Sequence, residues 1–459
     1  MKSIFIKFNF ILTLAAALLA TTINAQSIVP PGEILALTNV TVIDGNSGRP
    51  KPNMTLVISR ERIAEMFSTG KKRLPAGATV MDLSGQYIMP GLIDSHYHFI
   101  PYNKAKEEVI ARFALLGGIT SVRDMAGDGI SLAELANAAR DNNVQSPRIY
   151  FSALMAGSTW FVDARVAMMM HGKPAGQAAW ARAVKPDTDI VKAVTEAKAA
   201  GATGIKLYAD LPPDVVTKIT KEAHRQGLKV WSHATIFPSK PSDAIKAGVD
   251  VISHSVMMAF EFQDKLPEIS DKSSYRNINW KSISVDSPTI TALLRQMRKQ
   301  GTMLDDVIIH TNMRQIPGIV KAEAALPEEK RLPGYANYVE SWTYGITRRA
   351  HELGIPLVAG TDFSEHPESQ DFPNIHTEME LLVAKCGLTP IEAITTATRN
   401  GAMALGIEKS YGTIARGKIA DLVILSADPG ANIQNTTKIL YVIKGGKVYK
   451  REKVVMPAT

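Results

Sequence analysis

The sequence has almost no cysteine, and its apolar runs are short. The single cysteine, Cys386, excludes an intrachain disulfide, a cysteine-based zinc site and a lipidated cysteine behind an export signal. No stretch reaches the roughly 20 apolar residues that a membrane span needs, so we expect no stable membrane insertion. The 459 residues are 45% hydrophobic and 21% charged. This composition excludes a disordered polymer, a collagen-like repeat and a small disulfide scaffold.

Charge of one sign is not concentrated anywhere along the chain. The formal net charge is +8, but Lys and Arg are interleaved with Asp and Glu throughout. A nucleic-acid partner would call for clustered cations, and we therefore expect none. A small-molecule substrate fits this surface better, and the composition leaves association of identical chains open.

The first residues have the pattern of an export signal. Lys2 and Lys7 precede an apolar run at 11–20, and Ala25 supplies the small residue that signal peptidase requires before Gln26. We expect residues 1–25 to be removed and the mature protein to be periplasmic or secreted.

Both ends of the mature chain have a sequence pattern typical of β-strands. Residues 34–80 contain short segments of alternating apolar residues separated by Gly, Pro and Asn. The same pattern occurs at 420–425 and 440–443. We predict a small β-sandwich built from the N-terminal segment 26–90 and the C-terminal segment 410–459.

Between these segments the pattern is α/β. Short apolar strands alternate with helical stretches, which predicts a (β/α)8 TIM-like barrel over 91–409 with its active site at the carboxyl ends of the strands. The eight strand candidates are 91–98, 120–123, 148–153, 204–208, 229–233, 249–254, 303–310 and 356–361. The long connections at 255–303 and 312–339 are interpreted as lids or substrate loops.

Candidate metal ligands stand at the ends of these strands. His96 and His98 alternate at the end of the first strand, so both imidazoles point to one side. Such a pair is often only structural, but His233 ends the fifth strand, His254 the sixth and Asp362 the eighth. Nitrogen and oxygen donors without thiolate favour Zn, with Mn, Fe or Co as substitutes.

Lys206 lies at the same rim, near the end of the fourth strand. A protonated lysine beside metal cations would be repelled, so it must lose its proton or be modified. Carbamylation by CO2 would turn it into an anionic oxygen donor able to bridge two metals. The alternative is an unmodified lysine whose charged end extends to solvent.

Three further residues are weaker candidates. Asp124 can orient ligands from behind them, or simply pair with Arg123. Tyr208 can donate to a substrate or pack. His310, at the end of the seventh predicted strand, faces the right rim for substrate contact.

The chain resembles the metal-dependent amidohydrolase superfamily, in particular its imidazolonepropionase-like and carboxylated-lysine Xaa-Pro dipeptidase branch. The resemblance covers nearly the whole mature chain in order. Its motifs are MPGLIDSHYH at 89–98, TSVRD at 120–124, GIKLY at 204–208, HA at 233–234, AGVDVISH at 247–254, AGTD at 359–362, GLTPIEA at 387–393 and GTIARGKIADLV at 412–423.

The resemblance implies a two-metal centre. His96, His98 and Asp362 would hold the buried metal, and a carboxylated Lys206 would bridge to a second metal on His233 and His254. Two such cations, about 3.5–4 Å apart, would share a hydroxide that attacks the substrate carbonyl. Asp362 would take its proton and deliver it to the leaving nitrogen.

The expected activity is hydrolysis of an amide bond in a small substrate, either a dipeptide such as Xaa-Pro or an N-acyl amino acid. Residues 156–161 depart from the Gly-Gly-His stretch common in the dipeptidases, and Ser253 stands where Glu is common. Both differences affect substrate loops and leave specificity open. The alternatives are a mononuclear deaminase or imidazolone-type ring hydrolase with unmodified Lys206, and a catalytically inactive exported binding protein.

Overall fold

A computed structural model of the chain describes residues 34–99, 104–269, 272–364 and 367–455. The predicted export signal at 1–25 lies outside the described residues, so it stays a prediction. Within the described ranges, no helix combines the length and the apolar character needed to cross a bilayer.

The two chain ends form one mainly antiparallel sheet. Its strands are β1 (Ile34–Val42), β2 (Lys51–Ser59), β3 (Arg62–Ser68), β4 (Thr79–Asp82), β5 (Tyr87–Pro90), β16 (Leu422–Leu425), β17 (Ile439–Lys444) and β18 (Lys447–Lys450). They lie in the order β18–β17–β16–β5–β1–β2–β3, with β4 paired to β1. The N- and C-terminal segments meet where β5 pairs antiparallel with β16, Pro90 opposite Leu422.

Alternation along β16 places this sheet between two cores. Leu422 and Ile424 pack into a core that contains residues from both chain ends. Val423 and Leu425 point the other way, into the core of the central domain. This period of two is what an extended strand imposes on its side chains. The composite β module predicted from the sequence is therefore present.

The central domain contains a parallel barrel of eight strands, which confirms the predicted fold class. In barrel order the strands are β6 (Leu92–Tyr97), β7 (Ile119–Asp124), β8 (Arg148–Gly157), β11 (Gly204–Leu207), β12 (Lys229–His233), β13 (Val251–Ser253), β14 (Met303–Asp305) and β15 (Leu357–Val358). A small hairpin, β9 (Gln177–Ala178) and β10 (Ala181–Val184), extends the end of β8.

Backbone contacts close the barrel between its first and last strands. The Ser95 amide donates to the carbonyl of Ala359 at 3.0 Å, and Tyr97 bridges to Phe363. Closure brings the carboxyl ends of all eight strands around one mouth, as such a barrel requires.

The seventh strand is shorter than predicted. The sequence predicts strand over 303–310, but β14 ends at Asp305, and Ile308–His310 forms one helical turn. The apolar residues at 307–309 are buried in that turn, so their apolar character resembled a strand. His310 therefore reaches the mouth from a helix that comes after the strand.

Helices cover the barrel and fill the long connections. They are α1 (Lys104–Leu116), α2 (Gly129–Arg140), α3 (Val166–Met169), α4 (Ile190–Ala199), α5 (Pro213–Arg225), α6 (Pro241–Ala247), α7 (Pro288–Gln300), α8 (Ile308–His310), α9 (Ile316–Ala324), α10 (Tyr335–Glu352), α11 (Ile375–Cys386), α12 (Pro390–Thr395) and α13 (Gly401–Leu405). In α5, for example, the buried residues Val216, Ile219 and Ala223 recur at helical spacing and face the strands.

Candidate metal centre

The structure brings the predicted donors of the first and last barrel strands together. Oδ1 of Asp362 lies 3.0 Å from Nε2 of His98 and 3.6 Å from Nε2 of His96. Ligand atoms of His96, His254 and Asp362 all lie within 4.8 Å of one another. Two imidazole nitrogens thus converge on one carboxylate oxygen, and a third imidazole stands beside them.

His233 and Lys206 complete the cluster on the opposite wall. The rings of His233 and His254 are 4.9 Å apart, and the rings of His254 and His96 are 5.1 Å apart. The side chain of Lys206 is 1% exposed, and its Nζ has no hydrogen-bond partner among the described residues. A buried amine without a partner is costly, so this position calls for a further group.

Strained backbone recurs at this mouth. His254, which directly follows β13, has φ of +66°, and Asp362 has φ of +57°. Left-handed backbone is uncommon for residues other than glycine and accumulates at functional sites. In each case the left-handed backbone directs the side chain across the mouth, while the amide stays hydrogen-bonded to a neighbouring strand. The amide of Asp362 donates to the carbonyl of His96, and that of His254 to the carbonyl of Asp305.

The charge balance of the cluster follows from burial. Burial acts to raise the pKa of Asp362, but His96, His310 and His98 outweigh it and hold that pKa well below its usual value. Burial lowers the pKa of His233 and His254 well below the usual value. Burial also lowers the pKa of Lys206 to about 7. His233 and His254 are therefore neutral beside an ionised carboxylate, which is the protonation state that metal binding needs. Burial acts to lower the pKa of His98, but its hydrogen bond to Asp362 outweighs burial and raises that pKa.

Asp305 supports His96 from below and is a site residue that the sequence did not predict. Its Oδ2 accepts hydrogen bonds from Nδ1 of His96 at 2.8 Å, from Arg123 at 2.7 Å and from Ser253 at 3.0 Å. This contact places the imidazole proton on Nδ1 and leaves Nε2 free to act as a ligand. Asp305 lies at the true end of the seventh strand, inside the segment 303–310 that was predicted to be strand throughout.

Asp124 does not bond to a ligand and does not pair with Arg123. Its carboxylate accepts from the backbone amides of Phe99 at 2.7 Å and Ala126 at 3.1 Å. Arg123 points into the barrel instead, where its charge meets Asp305. The Arg123–Asp124 pair considered from the sequence is therefore wrong, because consecutive strand residues face opposite sides. Asp124 shapes the turn immediately after His98.

Tyr208 lines the wall beside His233. The two rings are 4.3 Å apart, and Trp160 packs on the other side of Tyr208 at 4.7 Å. Arg165 donates to the Tyr208 hydroxyl while pairing with Asp163 at 2.7 Å. The charge of Arg165 is thus already compensated by a carboxylate.

His310 and Arg314 lie on the other side of the mouth. Nε2 of His310 is 3.7 Å from Oδ2 of Asp362, and its ring is 5.9 Å from the ring of Phe363. Four residues further on, the exposed guanidinium of Arg314 lies 4.1 Å above the same Phe363 ring. Arg314 makes no ion pair with a carboxylate among the described residues. The structure thus places a cation near the mouth that sequence spacing gave no reason to select.

Gly360 allows the two end strands to approach. A Cβ atom at this position would lie 2.5 Å from Cβ of His96 and 2.6 Å from Oδ1 of Asp305. Neither contact is tolerable, because both neighbours are buried and held by other groups. The glycine in the AGTD motif is therefore required by the packing of His96 against its supporting carboxylate.

Comparison with known proteins identifies the family. The amidohydrolase family profile matches residues 87–449. An imidazolonepropionase from Flavobacterium johnsoniae is 22% identical over 81% of this chain and 85% of its own, and the ochratoxinase of Aspergillus niger is 24% identical over 88% and 84%. A crystal structure of a Xaa-Pro dipeptidase with bound methionine superposes with a TM-score of 0.71, covering 91% of this chain and all of that one at 22% identity. The chain belongs to the amidohydrolase family and is a hydrolase that acts on carbon–nitrogen bonds.

Proposed function

We propose that the protein is a metal-dependent amidohydrolase that cleaves the amide bond of a dipeptide or an N-acyl amino acid. The observation that carries this proposal is the convergence of His96, His254 and Asp362 within 4.8 Å of one another, beside the unpartnered buried amine of Lys206. Neutral imidazoles and an ionised carboxylate are donors suited to Zn and similar divalent ions.

The residues fit two metal ions. His96, His98 and Asp362 would hold one ion, and His233 and His254 the other. Lys206 would add its neutral amine to CO2, forming an N–C bond and releasing one proton, and the resulting carbamate would supply an oxygen to both ions. Metal ions at such a site supply Lewis acidity and lower the pKa of water towards neutrality.

Asp362 has the geometry to handle the proton of the reaction. Its Oδ1 faces the imidazoles of His96 and His98, whereas Oδ2 lies on the side of His310. We infer that Oδ2 accepts a proton from the attacking water and delivers it to the nitrogen that leaves. His310 lies beside this oxygen, with its Nε2 3.7 Å away, and Tyr208 forms the facing wall of the substrate pocket.

Arg314 supports a substrate that carries a free carboxylate. Its guanidinium lies near the mouth, over Phe363, without a carboxylate partner among the described residues. Arg165, on the other side of the mouth, is paired with Asp163. Arginine recognises carboxylates through paired hydrogen bonds. This distribution of charge favours N-acyl amino acids and dipeptides over neutral amides.

A mononuclear imidazolone-type ring hydrolase is the second candidate. The imidazolonepropionases among the relatives, at 22–24% identity over most of the chain, favour it. In this case Lys206 would stay unmodified, and a single ion would be bound. A deaminase of the same mononuclear type belongs to this alternative.

Metal content and a substrate panel distinguish the candidates. We expect two equivalents of Zn in the wild type and a reduced content in Lys206→Ala, together with hydrolysis of N-acetyl amino acids or dipeptides. Lys444→Met is the matched control, since Lys444 on β17 is also buried but donates a hydrogen bond to the carbonyl of Ala139 on α2. One equivalent that Lys206→Ala leaves unchanged would support the ring hydrolase. Failure of the metal-loaded protein to turn over amides, ring substrates and esters would favour a binding protein.

We also propose that the protein is exported. The basic and then apolar N-terminus that ends at Ala25 supports this, and it lies outside the described residues. Mass spectrometry of the mature protein from its native cell should give an N-terminus at Gln26. An N-terminus that retains the apolar run would contradict the proposal.

A further inference from the structure

The segment that joins β14 to α8 is strained and fully enclosed. Val307 has φ of +56°, in the left-handed region that a β-branched residue rarely occupies. Asp305, Asp306, Val307, Ile308 and Ile309 are all buried. Such a conformation persists only where the surrounding structure holds it, so the groups that contact this turn determine the position of the residues that come after it.

Glu378 on helix α11 contacts the turn directly. The carboxyl group is 0% exposed and accepts two backbone hydrogen bonds, from the amide of Ile308 at 3.1 Å and from that of Ile309 at 2.7 Å. Amides in the first turn of a helix have no partner within that helix. Glu378 therefore caps α8 with a side chain from another helix, far away in sequence.

The residue after these two amides is His310. Its Nε2 lies 3.7 Å from Oδ2 of Asp362, and its ring is 6.3 Å from that of His254. The backbone that Glu378 holds is thus one peptide unit from the imidazole that reaches the candidate centre. A shift of the turn would move this imidazole away from the carboxylate oxygen.

The surroundings of Glu378 determine how its carboxyl group contacts the turn. Among the described residues it has no cationic partner, and burial raises its pKa well above the usual value. Asp306 lies nearby, and burial raises its pKa to about 7. The raised pKa values favour the uncharged form of both acids, so Glu378 contacts the turn through hydrogen bonds.

We propose that Glu378 is a positioning residue that sets His310 against Asp362 by holding the amides of Ile308 and Ile309. The proposal rests on the proposed function for its catalytic consequence. Glu378 itself does not touch substrate, because it lies behind the turn. Its effect on catalysis passes through His310.

A double-mutant cycle tests this route. Glu378→Met removes both acceptors at nearly constant volume, and we expect it to lower kcat/KM by about tenfold, as small misplacements of active-site groups do. Glu378→Gln keeps one acceptor and should retain more activity than Glu378→Met. In a His310→Ala background, Glu378→Met should change kcat/KM by less than about twofold, because the group it positions is already gone.

His376→Gln is the matched control on the same helix. His376 is also buried, but it bonds to Gly117 and Thr436, away from the turn. It should lower stability without the coupling to His310. An equal loss of activity from Glu378→Met with and without His310 would overturn the proposal, as would no loss at all.

A second measurement does not depend on finding a substrate. The side-chain 15N signals of His310 should shift in Glu378→Met and stay unchanged in His376→Gln. Absence of turnover in the wild type would count against the proposed function alone, whereas unshifted His310 signals in Glu378→Met would refute the positioning role.

Discussion

Nδ1 of His96 lies 2.8 Å from Oδ2 of Asp305, and the same oxygen accepts a hydrogen bond from Arg123. This carboxylate is completely buried, as is the guanidinium that it neutralises. One atom therefore has two tasks: it fixes the tautomer of a candidate metal ligand, and it balances a buried positive charge. Each task has its own measurement.

Asp305→Asn should impair both stability and metal binding. The substitution keeps the shape but leaves the Arg123 charge uncompensated, which should lower the free energy of unfolding by about 3 kcal/mol. Loss of the charged partner of His96 should weaken metal affinity by about 10–100-fold. Urea unfolding and metal titration measure the two effects.

Asp250→Asn provides the comparison for that experiment. Asp250 bonds to Lys229, His224 and the amide of Val230, so the variant should be destabilised. It should bind metal like the wild type. Unchanged metal affinity in Asp305→Asn would show that Asp305 serves the fold alone.

Arg314→Gln should alter substrate preference. We expect the wild type to prefer an N-acetyl amino acid over its primary amide by about tenfold in kcat/KM, the magnitude of one charge-assisted hydrogen bond. The variant should lose this preference, mainly through KM. Arg165→Gln should keep the preference, because Arg165 is already paired with Asp163. Equal preference in the wild type and in Arg314→Gln would refute carboxylate recognition by Arg314.

Gly360→Ala should distort the candidate metal centre although it adds only one methyl group. The new Cβ would meet Cβ of His96 and Oδ1 of Asp305 at 2.5 and 2.6 Å, and neither can move without losing its partner. We expect metal affinity and kcat/KM to fall at least about tenfold, as misplaced active-site groups require. Gly318→Ala is the control, since a Cβ there meets nothing within 4 Å and should stabilise helix α9. Wild-type kinetics in Gly360→Ala would contradict this packing argument.

His376 should make stability depend on pH. Burial lowers its pKa to about 4 in the folded protein, against a usual value of 6.5. The unfolded chain therefore binds the proton more readily, so this contribution is complete above pH 6.5 and is lost as the pH falls towards 4. The loss amounts to about 3 kcal/mol.

The comparison with His376→Gln isolates that contribution. Urea unfolding between about pH 4 and pH 7.5 should show a shallower dependence on pH for the variant than for the wild type. Parallel curves would mean that His376 is not buried in its neutral form.

Much of the candidate centre could be predicted from the sequence because the rule that locates it is simple. Parallel strands end at one rim, so His96, His233 and Asp362 could be placed together from strand periodicity alone. This rule did not select Asp305, because the apolar residues that follow it resemble a continuation of the strand. A β-branched residue such as Val307 gives no indication in the sequence that its backbone is left-handed.

Other parts depend on contacts that no local pattern records. Glu378 reaches Ile308 and Ile309 from a separate helix, and Arg314 approaches Phe363 across the mouth of the barrel. Sequence distance hides such pairs, since only the folded arrangement of the helices creates them. The ligand-bearing strand ends were therefore predictable, whereas the residues that hold or flank them were not.

The pairing of β5 with β16 has a consequence for folding while the chain is being synthesised. On a ribosome, β5 emerges early, but the partner that covers its open edge is made only after the whole barrel has been translated. Until then the first strands present unsatisfied backbone groups and apolar side chains, a surface that invites association with other chains. The C-terminal strands, which are synthesised last, therefore complete the sheet that the N-terminal strands begin.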